Sequence, residues 1–351
     1  MKRVVLIFGV VVVLLTSLIV VGCGGGVQPT GTATGTATAT QAVKVTTLKW
    51  ACWCPISFAA FTGGYREPFC KLVEAETGGR VKIDVYPSET LIKTPDLYDA
   101  IKSGVIDITV LNTTGLGGGS LIPLGNLTTA PFIWKTGLIA SCTMNELYPA
   151  GTFGDELQDV KFLHFRANSP SNITSRIPIT KVEDFKGTKF NGTGVMWQKW
   201  AALNGATMVN IPSQADVYDA LSKGMIDWSP LEWEGQYVFK RYEVTKYGID
   251  GLDMTCGAWS FTCMNQNSWN NLPPDCQAVI TKYTGQWASE VISGNFDKDD
   301  DFCREFYRNY WKEQGLPGMS VFPAEEKAKL LAQAQPIYDY LIEIADKAGK
   351  P

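Results

Sequence analysis

The chain carries one pattern twice, first as Asp96-Leu-Tyr-Asp-Ala-Ile-Lys-Ser-Gly-Val-Ile-Asp107 and again as Asp216-Val-Tyr-Asp-Ala-Leu-Ser-Lys-Gly-Met-Ile-Asp227. Each copy predicts a helix that ends at a glycine, because glycine readily takes the left-handed conformation of a helix C-cap. The apolar residues after each glycine predict a strand that enters a sheet. The repetition therefore predicts two lobes of similar α/β construction, with a cleft between them.

Strands and helices alternate on both sides of these segments. Short apolar or alternating runs predict strands over 45–52, 81–86, 105–111, 160–166, 188–191 and 225–228. Periodicity and capping signals predict helices over 67–76, 95–103 (with Thr94 as N-cap), 195–203 and 215–222. Two more helices are predicted near the end of the chain, one from Pro273 toward Tyr310 and one from Pro323. The run at 105–111 is typical of a buried strand in a mostly parallel sheet.

Composition limits the classes of protein that the chain can belong to. With 351 residues, 45% of them hydrophobic, it can bury a sizeable core, and it has a single long apolar run. A net charge of −4 argues against a nucleic-acid-binding protein, which normally shows a basic excess. The one histidine, His164, excludes multi-histidine metal sites. It lies in an apolar strand, where a hydrogen-bonded core imidazole is expected.

The first residues have the layout of an export signal. Lys2 and Arg3 precede an apolar stretch over 4–21, which by its length could also be a transmembrane anchor. However, Val20-Val21-Gly22-Cys23 resembles a bacterial lipobox, in which the cysteine is lipidated after cleavage on its N-terminal side. We therefore predict a lipoprotein signal peptide over 1–22 and a diacylglycerol group on Cys23. Loss of Lys2 and Arg3 changes the net charge from −4 to −6.

Residues 23–44 are rich in glycine, threonine and alanine and show no apolar periodicity. Such a segment cannot bury enough surface to offset the cost of ordering its backbone, so we predict a flexible tether. About 20 flexible residues have a root-mean-square reach on the order of 25 Å. The folded part is thus expected outside the cytoplasm, held close to a membrane by its lipid.

Eight cysteines follow Cys23, and an even number outside the cytoplasm permits disulfides without fixing their pairing. Cys52-Trp53-Cys54 does not have the C-x-x-C spacing of a redox motif. Cys276 and Cys303 flank the predicted long helix and could pair only if that helix breaks between them. We expect one or two disulfides or buried thiols.

Several segments, taken in order, resemble the DctP-type extracytoplasmic solute receptors of tripartite ATP-independent periplasmic (TRAP) transporters. They are Glu76-Thr-Gly-Gly-Arg-Val-Lys-Ile-Asp-Val-Tyr-Pro-Ser88, Ala130-Pro-Phe-Ile133, Val182-Glu-Asp-Phe-Lys-Gly-Thr-Lys-Phe190, Tyr218-Asp-Ala-Leu-Ser-Lys-Gly-Met-Ile-Asp227, Tyr242-Glu-Val-Thr-Lys-Tyr247 and Trp269-Asn-Asn-Leu-Pro-Pro-Asp275. The resemblance implies an α/β, two-lobed periplasmic-binding-protein-like fold with hinge strands and a long helix spanning both lobes. It also implies that 45–168 plus 257–296 form lobe I, and 169–256 plus 297–351 form lobe II.

The function implied by this resemblance is that of a solute-binding receptor. It captures a small organic solute, either an organic acid or a less anionic polar or aromatic compound, and delivers it to TRAP membrane subunits for ion-gradient-driven uptake. We expect a lipid-anchored monomer outside the cytoplasm, with no cofactor, no catalytic residues and no nucleic-acid partner. A receptor of an ABC transporter or sensor system is the alternative. A secreted enzyme is remote, because no nucleophile elbow or metal-ligand cluster is present.

The binding residues implied by the resemblance depart from the family at two positions. Asn191 occupies the place of the family's most recognisable arginine, and Ser171 that of a second arginine in sialic-acid-type members. An arginine binds a carboxylate bidentately, so both departures remove positive charge from the cleft. The ligand is then less anionic than a dicarboxylate, or its charge is neutralised by Arg166, Arg176 or a cation bound to Glu232.

The remaining pocket positions follow strand ends or begin helices, where open α/β sheets bind ligands. The full predicted set is Trp53, Thr94, Asn112, Arg166, Ser171, Asn191, Gln214, Glu232 and Trp233. Glu232-Trp233 also resembles a pair in the keto-acid-binding branch, where the glutamate helps to hold a metal ion. Glu232 is therefore the one predicted metal ligand. Two alternatives stay open: Asn191 satisfies a neighbouring backbone group, and the tryptophans belong to the core.

Overall fold

A computed structural model describes residues 44–54, 62–112, 129–148, 150–151, 157–211, 213–256, 259–347 and 349. The strands are β1 (Thr46–Ala51), β2 (Val81–Tyr86), β3 (Ile108–Asn112), β4 (Val160–Ala167), β5 (Asn172–Ser175), β6 (Lys189–Asn191), β7 (Thr207–Val209), β8 (Trp228–Leu231), β9 (Tyr247–Asp250), β10 (Trp259–Asn265) and β11 (Gly318–Val321). The helices are α1 (Glu67–Glu76), α2 (Leu97–Ser103), α3 (Gly137–Leu147), α4 (Gly194–Asn204), α5 (Gln214–Lys223), α6 (Trp233–Val238), α7 (Gln266–Asn270), α8 (Pro274–Lys282), α9 (Gly285–Glu313), α10 (Ala324–Gln333) and α11 (Gln335–Lys347).

The strands form two sheets, each with one inserted antiparallel strand. The first has five strands in the order β2-β1-β3-β10-β4, and the second has six in the order β11-β9-β5-β8-β6-β7. β1 runs parallel to β2 and β3, whereas β10 is antiparallel to β3 and β4. In the second sheet β5 is the antiparallel strand, between β8 and β9. The sheets are therefore mixed.

The two repeated segments form the helices that were predicted. α2 ends at Gly104 with φ of 77°, and α5 ends at Gly224 with φ of 71°, so both glycines are left-handed C-caps. The strands that follow begin later than predicted, at residues 108 and 228. The reason is that the N–H groups after each glycine bond back to the helix, to the carbonyls of Ala100 and Ala220.

An aspartate closes each repeat in the same way. The Asp107 carboxylate accepts the backbone N–H of Lys49 at 2.8 Å, and the Asp107 N–H donates to the Lys49 carbonyl at 2.9 Å. The Asp227 carboxylate accepts the backbone N–H of Lys189 at 2.8 Å, and its own N–H donates back at 2.7 Å. Each aspartate thus links its segment to the neighbouring parallel strand. We call these contacts the aspartate clamps.

Two predictions about helix ends were wrong. Thr94 does not cap a helix: it begins a short 3₁₀ turn ahead of α2, and its hydroxyl donates to the Glu89 carboxylate instead. The predicted helix from Pro273 toward Tyr310 is two helices, α8 and α9, because the chain leaves the helical path at residues 283–284. Periodicity alone did not show this break, since apolar residues continue through it.

Two segments and one helix connect the sheets. The crossing segments pair where the Ser171 N–H donates to the Thr255 carbonyl at 2.7 Å and the Met254 N–H donates to the Ser171 carbonyl at 3.0 Å. α9 has 29 residues, a length of about 43 Å at 1.5 Å per residue. It contacts α3 and β4 of the first half and α6 and β11 of the second. The two-lobed α/β architecture with hinge strands is therefore the one predicted.

His164 is a core residue, as its apolar surroundings predicted. It is fully buried, its Nε2 lies 2.9 Å from the Thr262 hydroxyl, and its ring packs edge-on against Tyr65. Burial, with the nearby Arg166 charge, lowers the pKa of His164 to about 3. The imidazole is therefore neutral and structural at physiological pH.

Within the described residues the eight cysteines after residue 23 are all free. They are Cys52, Cys54, Cys70, Cys142, Cys256, Cys263, Cys276 and Cys303, and most are buried. Of the two outcomes expected from the sequence, the structure has buried thiols. In this part of the chain no helix is both long and apolar enough to cross a membrane. The predicted signal peptide, Cys23 and most of the tether lie outside the described residues.

Candidate functional site

Three polar side chains form a row across the end of the first sheet. In the strand register Ser260 of β10 lies opposite Asn112 of β3 on one side and opposite Arg166 of β4 on the other. Directly opposed residues of antiparallel strands point to the same face of a sheet. Asn112, Ser260 and Arg166 therefore share one face, and we call them the polar row.

The polar row contains buried polar atoms that have no hydrogen-bond partner in the described part of the chain. Ser260 is 0% exposed and Arg166 is 2% exposed. Among the described residues, no hydrogen-bond partner is found for the buried Asn112 Oδ1 or for the Ser260 hydroxyl. An unsatisfied buried polar group costs about 1–3 kcal/mol, so two such atoms side by side indicate that another molecule completes them.

Arg166 connects the row to both halves of the protein. Its Nη1 donates to Asn168 Oδ1 at 2.9 Å, and its guanidinium lies 5.6 Å from the centre of the Phe296 ring. The Asn168 amide donates in turn to Glu232 Oε1 at 2.7 Å, at the end of β8 in the second sheet. A hydrogen-bonded chain therefore runs from the first sheet, through a crossing segment, to the second.

Glu232 belongs to a group of buried carboxyls. Its Oε2 is buried and has no hydrogen-bond partner in the described part of the chain. Burial raises the pKa of Glu232, and it raises the pKa values of Glu234 and Asp300 to about 8. The Glu234 N–H donates to Asp300 Oδ1 at 3.2 Å, which places α6 against α9 here. With pKa values of about 8, Glu234 and Asp300 carry protons at neutral pH, so they can donate as well as accept hydrogen bonds.

The predicted metal role of Glu232 stays a prediction. No group of three histidine, cysteine, aspartate or glutamate side chains that could hold a metal ion occurs in the residues that the structure describes. Oxygen-preferring cations normally require several such ligands. The Glu232 carboxyl accepts a hydrogen bond from the Asn168 amide.

A second buried arginine, Arg241, interacts electrostatically with Glu232. Arg241 is 0% exposed, and it donates to the side chains of Gln214 and Ser229. Burial lowers the pKa of Arg241 to about 10, and Glu232 acts against that shift as an opposite charge. The structure therefore brings Gln214, predicted at a helix start, toward Glu232 through an arginine that sequence reasoning missed. A lone arginine in a short turn gives no sequence signal.

A tight bend at Trp53 carries two thiols toward the same region. Arg166 Nη2 lies 3.9 Å from the Cys54 sulfur, and Arg66 Nη1 donates to the Cys52 sulfur at 3.0 Å. Trp53 is partly buried against the hydrophobic residues on both faces of the first sheet. Sequence reasoning also missed Arg66, although the sequence held a signal. A positive charge at a helix N-terminus is unfavourable, so an arginine at that position indicates a role outside the helix.

The other predicted site residues make contacts elsewhere. Asn191 Oδ1 accepts the backbone N–H of Ile211 at 3.1 Å, and Thr94 contacts Glu89. Trp233 is fully buried in a cluster with Tyr307, and its indole donates to Asp250. Ser171 lies in the crossing segment, where its backbone makes the contacts described above. Of the predicted set, the structure links Asn112 and Arg166 through the polar row, and Arg166 to Glu232 through Asn168.

Two sheets joined by paired crossing segments and a helix, with polar atoms near the junction that have no partner within the described ranges, have the construction of a two-lobed binding protein. Residues 60–344 match the DctP family, described as bacterial extracellular solute-binding protein, family 7. The chain belongs to this family. A place outside the cytoplasm and a role in solute binding follow, as predicted, and the family is a transport family rather than an enzyme family.

Individual relatives are distant. A solute-binding protein of Roseobacter denitrificans is 26% identical over 215 residues, which cover 58% of this chain and 62% of that protein. A marine metagenome TRAP solute-binding protein, specific for aromatic acids and in complex with metahydroxyphenylacetate, superposes with a TM-score of 0.75 at 24% identity, covering 88% of this chain and 94% of that one. A TRAP solute-binding protein of Rhodoferax ferrireducens, with copurified benzoate, superposes with a TM-score of 0.75 at 25% identity, covering 87% of this chain and 94% of that one.

Proposed function

We propose that the protein is the receptor of a TRAP transporter and that it captures a small aromatic monocarboxylate for delivery to separately encoded membrane subunits. The polar row carries this proposal, because it combines one buried guanidinium with two buried polar atoms for which the described residues supply no hydrogen-bond partner. A carboxylate accepts two hydrogen bonds from a guanidinium, and the Ser260 hydroxyl can donate a third. The two solved relatives named above bind aromatic acids, which supports the same class of ligand.

The charges around the row favour a single negative charge on the ligand. Arg66 already faces the Cys52 sulfur, and Asn191 and Ser171 bring no positive charge. Arg166 is the one arginine among the predicted site residues. A second carboxylate would be buried without a matching arginine from this set, at a cost of several kcal/mol. A dicarboxylate is therefore expected to bind weakly.

The rest of the ligand meets aromatic and amide groups. Phe296 lies beside the guanidinium, and Trp53 lies beside the thiol bend, so both offer apolar surface to a ring. Asn112 Oδ1 is an acceptor without a partner in the described residues, and it would be satisfied by a hydroxyl substituent. We therefore expect a hydroxylated aromatic acid to bind more tightly than the unsubstituted acid.

Capture would take place by closure of two lobes, 45–168 plus 257–296 and 169–256 plus 297–351. The division of strands supports these limits, because the first sheet uses strands within 46–167 and 259–265, and the second uses strands within 172–250 and 318–321. A diacylglycerol on Cys23 and a flexible tether over 23–44 would hold a monomeric receptor close to the transporter. The lipobox-like sequence before Cys23 supports this anchor.

The test is a thermal-shift and calorimetry panel of benzoate, 3-hydroxybenzoate, succinate and a neutral phenol. A ligand at 100 times its Kd stabilises the native state by about 2.7 kcal/mol, so binding raises the Tm. We expect 3-hydroxybenzoate to give the largest shift and succinate the smallest. Arg166→Gln should remove the response to acids, whereas Arg176→Gln should keep it, because Arg176 packs over Gly224 instead. Equal responses to succinate and benzoate would contradict the proposal.

A further inference from the structure

The outer edge of β4 is completed by side chains rather than by another strand. Among the described strands, β4 is the last of the first sheet and pairs with β10 alone. The Phe165 N–H donates to Asn145 Oδ1 at 2.9 Å, and the Asn145 amide donates back to the Phe165 carbonyl at 3.1 Å. Two residues later, the Ala167 N–H donates to Ser141 Oγ at 2.7 Å, and Ser293 Oγ donates to the Ala167 carbonyl at 3.0 Å. Side chains of α3 and α9 therefore take the place of a further strand.

The residues at this edge follow the period of each element. Alternate residues of a strand turn their N–H and C=O groups to the same edge, and residues four apart lie on one face of a helix. The contacts therefore form three rows, which we call the edge ladder: residues 165, 167 and 169 of the chain through β4, residues 145, 141 and 137 of α3, and residues 289, 293 and 297 of α9. The rows place a third step of the ladder just beyond the end of β4, at Ser169.

A carboxylate makes the third step of the ladder. Asp297 Oδ1 accepts the Ser169 hydroxyl at 2.7 Å and the Gly137 N–H at 3.0 Å, and Asp297 Oδ2 accepts the Leu138 N–H at 3.0 Å. Both N–H groups belong to the first turn of α3, where a negative charge is favourable. Ser169 is buried and begins the first crossing segment, which leaves β4 here. One carboxylate thus joins α3, α9 and this crossing segment.

The backbone of the crossing segment also lies directly against α3. A Cβ atom on Gly137 would be 2.8 Å from the Ala167 carbonyl oxygen and 2.9 Å from the Asn168 carbonyl oxygen, closer than Cβ atoms come to such groups. Glycine is therefore needed at this position for the close approach. The backbone held in this way is that of Asn168, whose side chain joins Arg166 to Glu232.

We propose that the Ser169–Asp297 hydrogen bond is the latch of the hinge between the lobes, and that Asp297 is a positioning residue for Arg166. The latch holds the first crossing segment on the first half as far as Ser169, so that closure bends the chain beyond this residue, from Pro170 onward. The inference rests on the proposed function, whose lobe limits fall between 168 and 169 and between 296 and 297. Both limits meet at the latch.

The latch acts on ligand binding through Asn168. With residues 168–169 held against α3 and α9, the hydrogen bond from Arg166 to Asn168 is formed before a ligand arrives. A guanidinium that is already oriented loses less conformational freedom when it binds a carboxylate. Without the latch, this ordering takes place during binding, and the affinity falls.

Hydrogen exchange of the ligand-free protein, followed by NMR at single residues, tests the latch without any ligand. Ser169→Ala should speed exchange of the Ser171 N–H about tenfold, because the crossing segment opens more often once a hydrogen bond to a charged group is lost. The Ala167 N–H should keep its wild-type rate. Ser293→Ala is the matched control from the second step of the ladder: it should speed exchange at Ala167 and leave Ser171 unchanged. A wild-type rate at Ser171 in Ser169→Ala would overturn the latch.

A double-mutant cycle tests whether Ser169 and Asp297 act as one pair. Asp297→Asn removes the charge and should also speed exchange of the Ser171 N–H about tenfold. The double variant Ser169→Ala/Asp297→Asn should exchange little faster than either single variant, because both substitutions break the same hydrogen bond. Multiplied effects, about a hundredfold in the double variant, would show that the two side chains act separately and would overturn the latch.

The positioning role is measured separately, as the Kd of benzoate by calorimetry. Ser169→Ala should raise the Kd about tenfold, whereas Ser293→Ala should keep the wild-type Kd although it also loses a buried serine hydroxyl. A merely structural role would shift both variants alike, so equal Kd values in the two variants would overturn the positioning role. If the wild type does not bind benzoate, the proposed function and the positioning role fall together, while the exchange rates still decide the latch.

Discussion

The two halves of the protein share a scaffold and differ in what their strand ends carry. Both use a helix, a left-handed glycine and an aspartate clamp to set a strand beside its parallel neighbour. In the first half, the strand ends present Arg166 and polar atoms that lack a hydrogen-bond partner among the residues described. In the second, the Asn191 side chain accepts the backbone N–H of Ile211. The comparison teaches that the repeat sets the scaffold, whereas on the proposed function the positive charge for the ligand comes from the first half.

The largest expected effect is the dependence of stability on pH. Buried groups in the two halves of the protein give this dependence opposite signs. The folded-state pKa values of Glu234 and Asp300 are raised to about 8, so the native state binds more protons than the unfolded chain. Stability therefore falls as pH rises from about 4.5 to 8. Burial lowers the pKa of His164 to about 3. The folded state therefore loses stability as the pH falls below about 6.5, where the histidine of the unfolded chain takes up a proton.

Urea unfolding at several pH values measures both slopes. Glu234→Gln should reduce the loss of unfolding free energy above pH 5 by on the order of 3 kcal/mol, because it removes a buried ionisable group from the second half. His164→Gln should flatten the acid-side decline and leave the alkaline side unchanged. Glu343→Gln on the exposed face of α11 is the control. An alkaline slope that persists in Glu234→Gln would show that the buried carboxyls do not act on stability.

The next effect tests which half holds the carboxylate. Arg166→Gln should weaken benzoate binding about 30-fold, since it removes a hydrogen bond to a charged group that is worth about 2 kcal/mol. Arg166→Lys should recover only part of this affinity, because an ammonium cannot bind a carboxylate bidentately. Calorimetry gives both Kd values. A Kd for Arg166→Gln within twofold of the wild type would place the carboxylate elsewhere.

The clamps test what the halves have in common. Asp107→Ala and Asp227→Ala each remove an acceptor from a strand N–H, so each should lower the free energy of unfolding by about 1 kcal/mol. Neither should change the Kd of benzoate by more than about twofold, because the clamps lie outside the polar row. Urea unfolding and calorimetry on the same preparations check this. A large loss in only one variant would show that the repeats are not equivalent.

The smallest effect concerns the position where the family has an arginine. Asn191→Ala should lower the free energy of unfolding by about 0.5–1 kcal/mol, because the Ile211 N–H loses its acceptor. The Kd of benzoate should stay the same. If the variant loses benzoate binding but keeps its stability, Asn191 contacts the ligand and the contrast between the halves is wrong.

The sequence predicted much of the fold because the signals were local. Glycine C-caps and apolar periodicity identified the helix over 67–76 with its observed bounds, and the six predicted strands were found within a few residues. The strands β5, β7, β9, β10 and β11 were not predicted. The predicted first residues of the strands after the two repeats were wrong. Backbone hydrogen bonds to the carbonyls of Ala100 and Ala220 extend each helix end, so each strand begins later in the sequence. The helix break at 283–284 was missed, because no proline marks it.

The site was harder to predict because its contacts depend on strand register. Asn112 and Glu232 were named because the family resemblance implies pocket positions there, and Arg166 was named as a possible source of positive charge. Ser260 was not, since it meets Asn112 and Arg166 only when β10 inserts between strands that are distant in sequence. Asn168 and Arg241 were missed for the same reason: their partners lie on other elements. Local patterns find elements, whereas a site depends on how those elements assemble.

The central claim is that the first half holds the carboxylate of the ligand. A crystal structure of the protein with 3-hydroxybenzoate tests it most directly. We predict the carboxylate within hydrogen-bond distance of the Arg166 guanidinium and the Ser260 hydroxyl, with the ring hydroxyl at Asn112. A carboxylate bound instead at Asn191, with Arg166 still turned toward Asn168 and Cys54, would contradict the account.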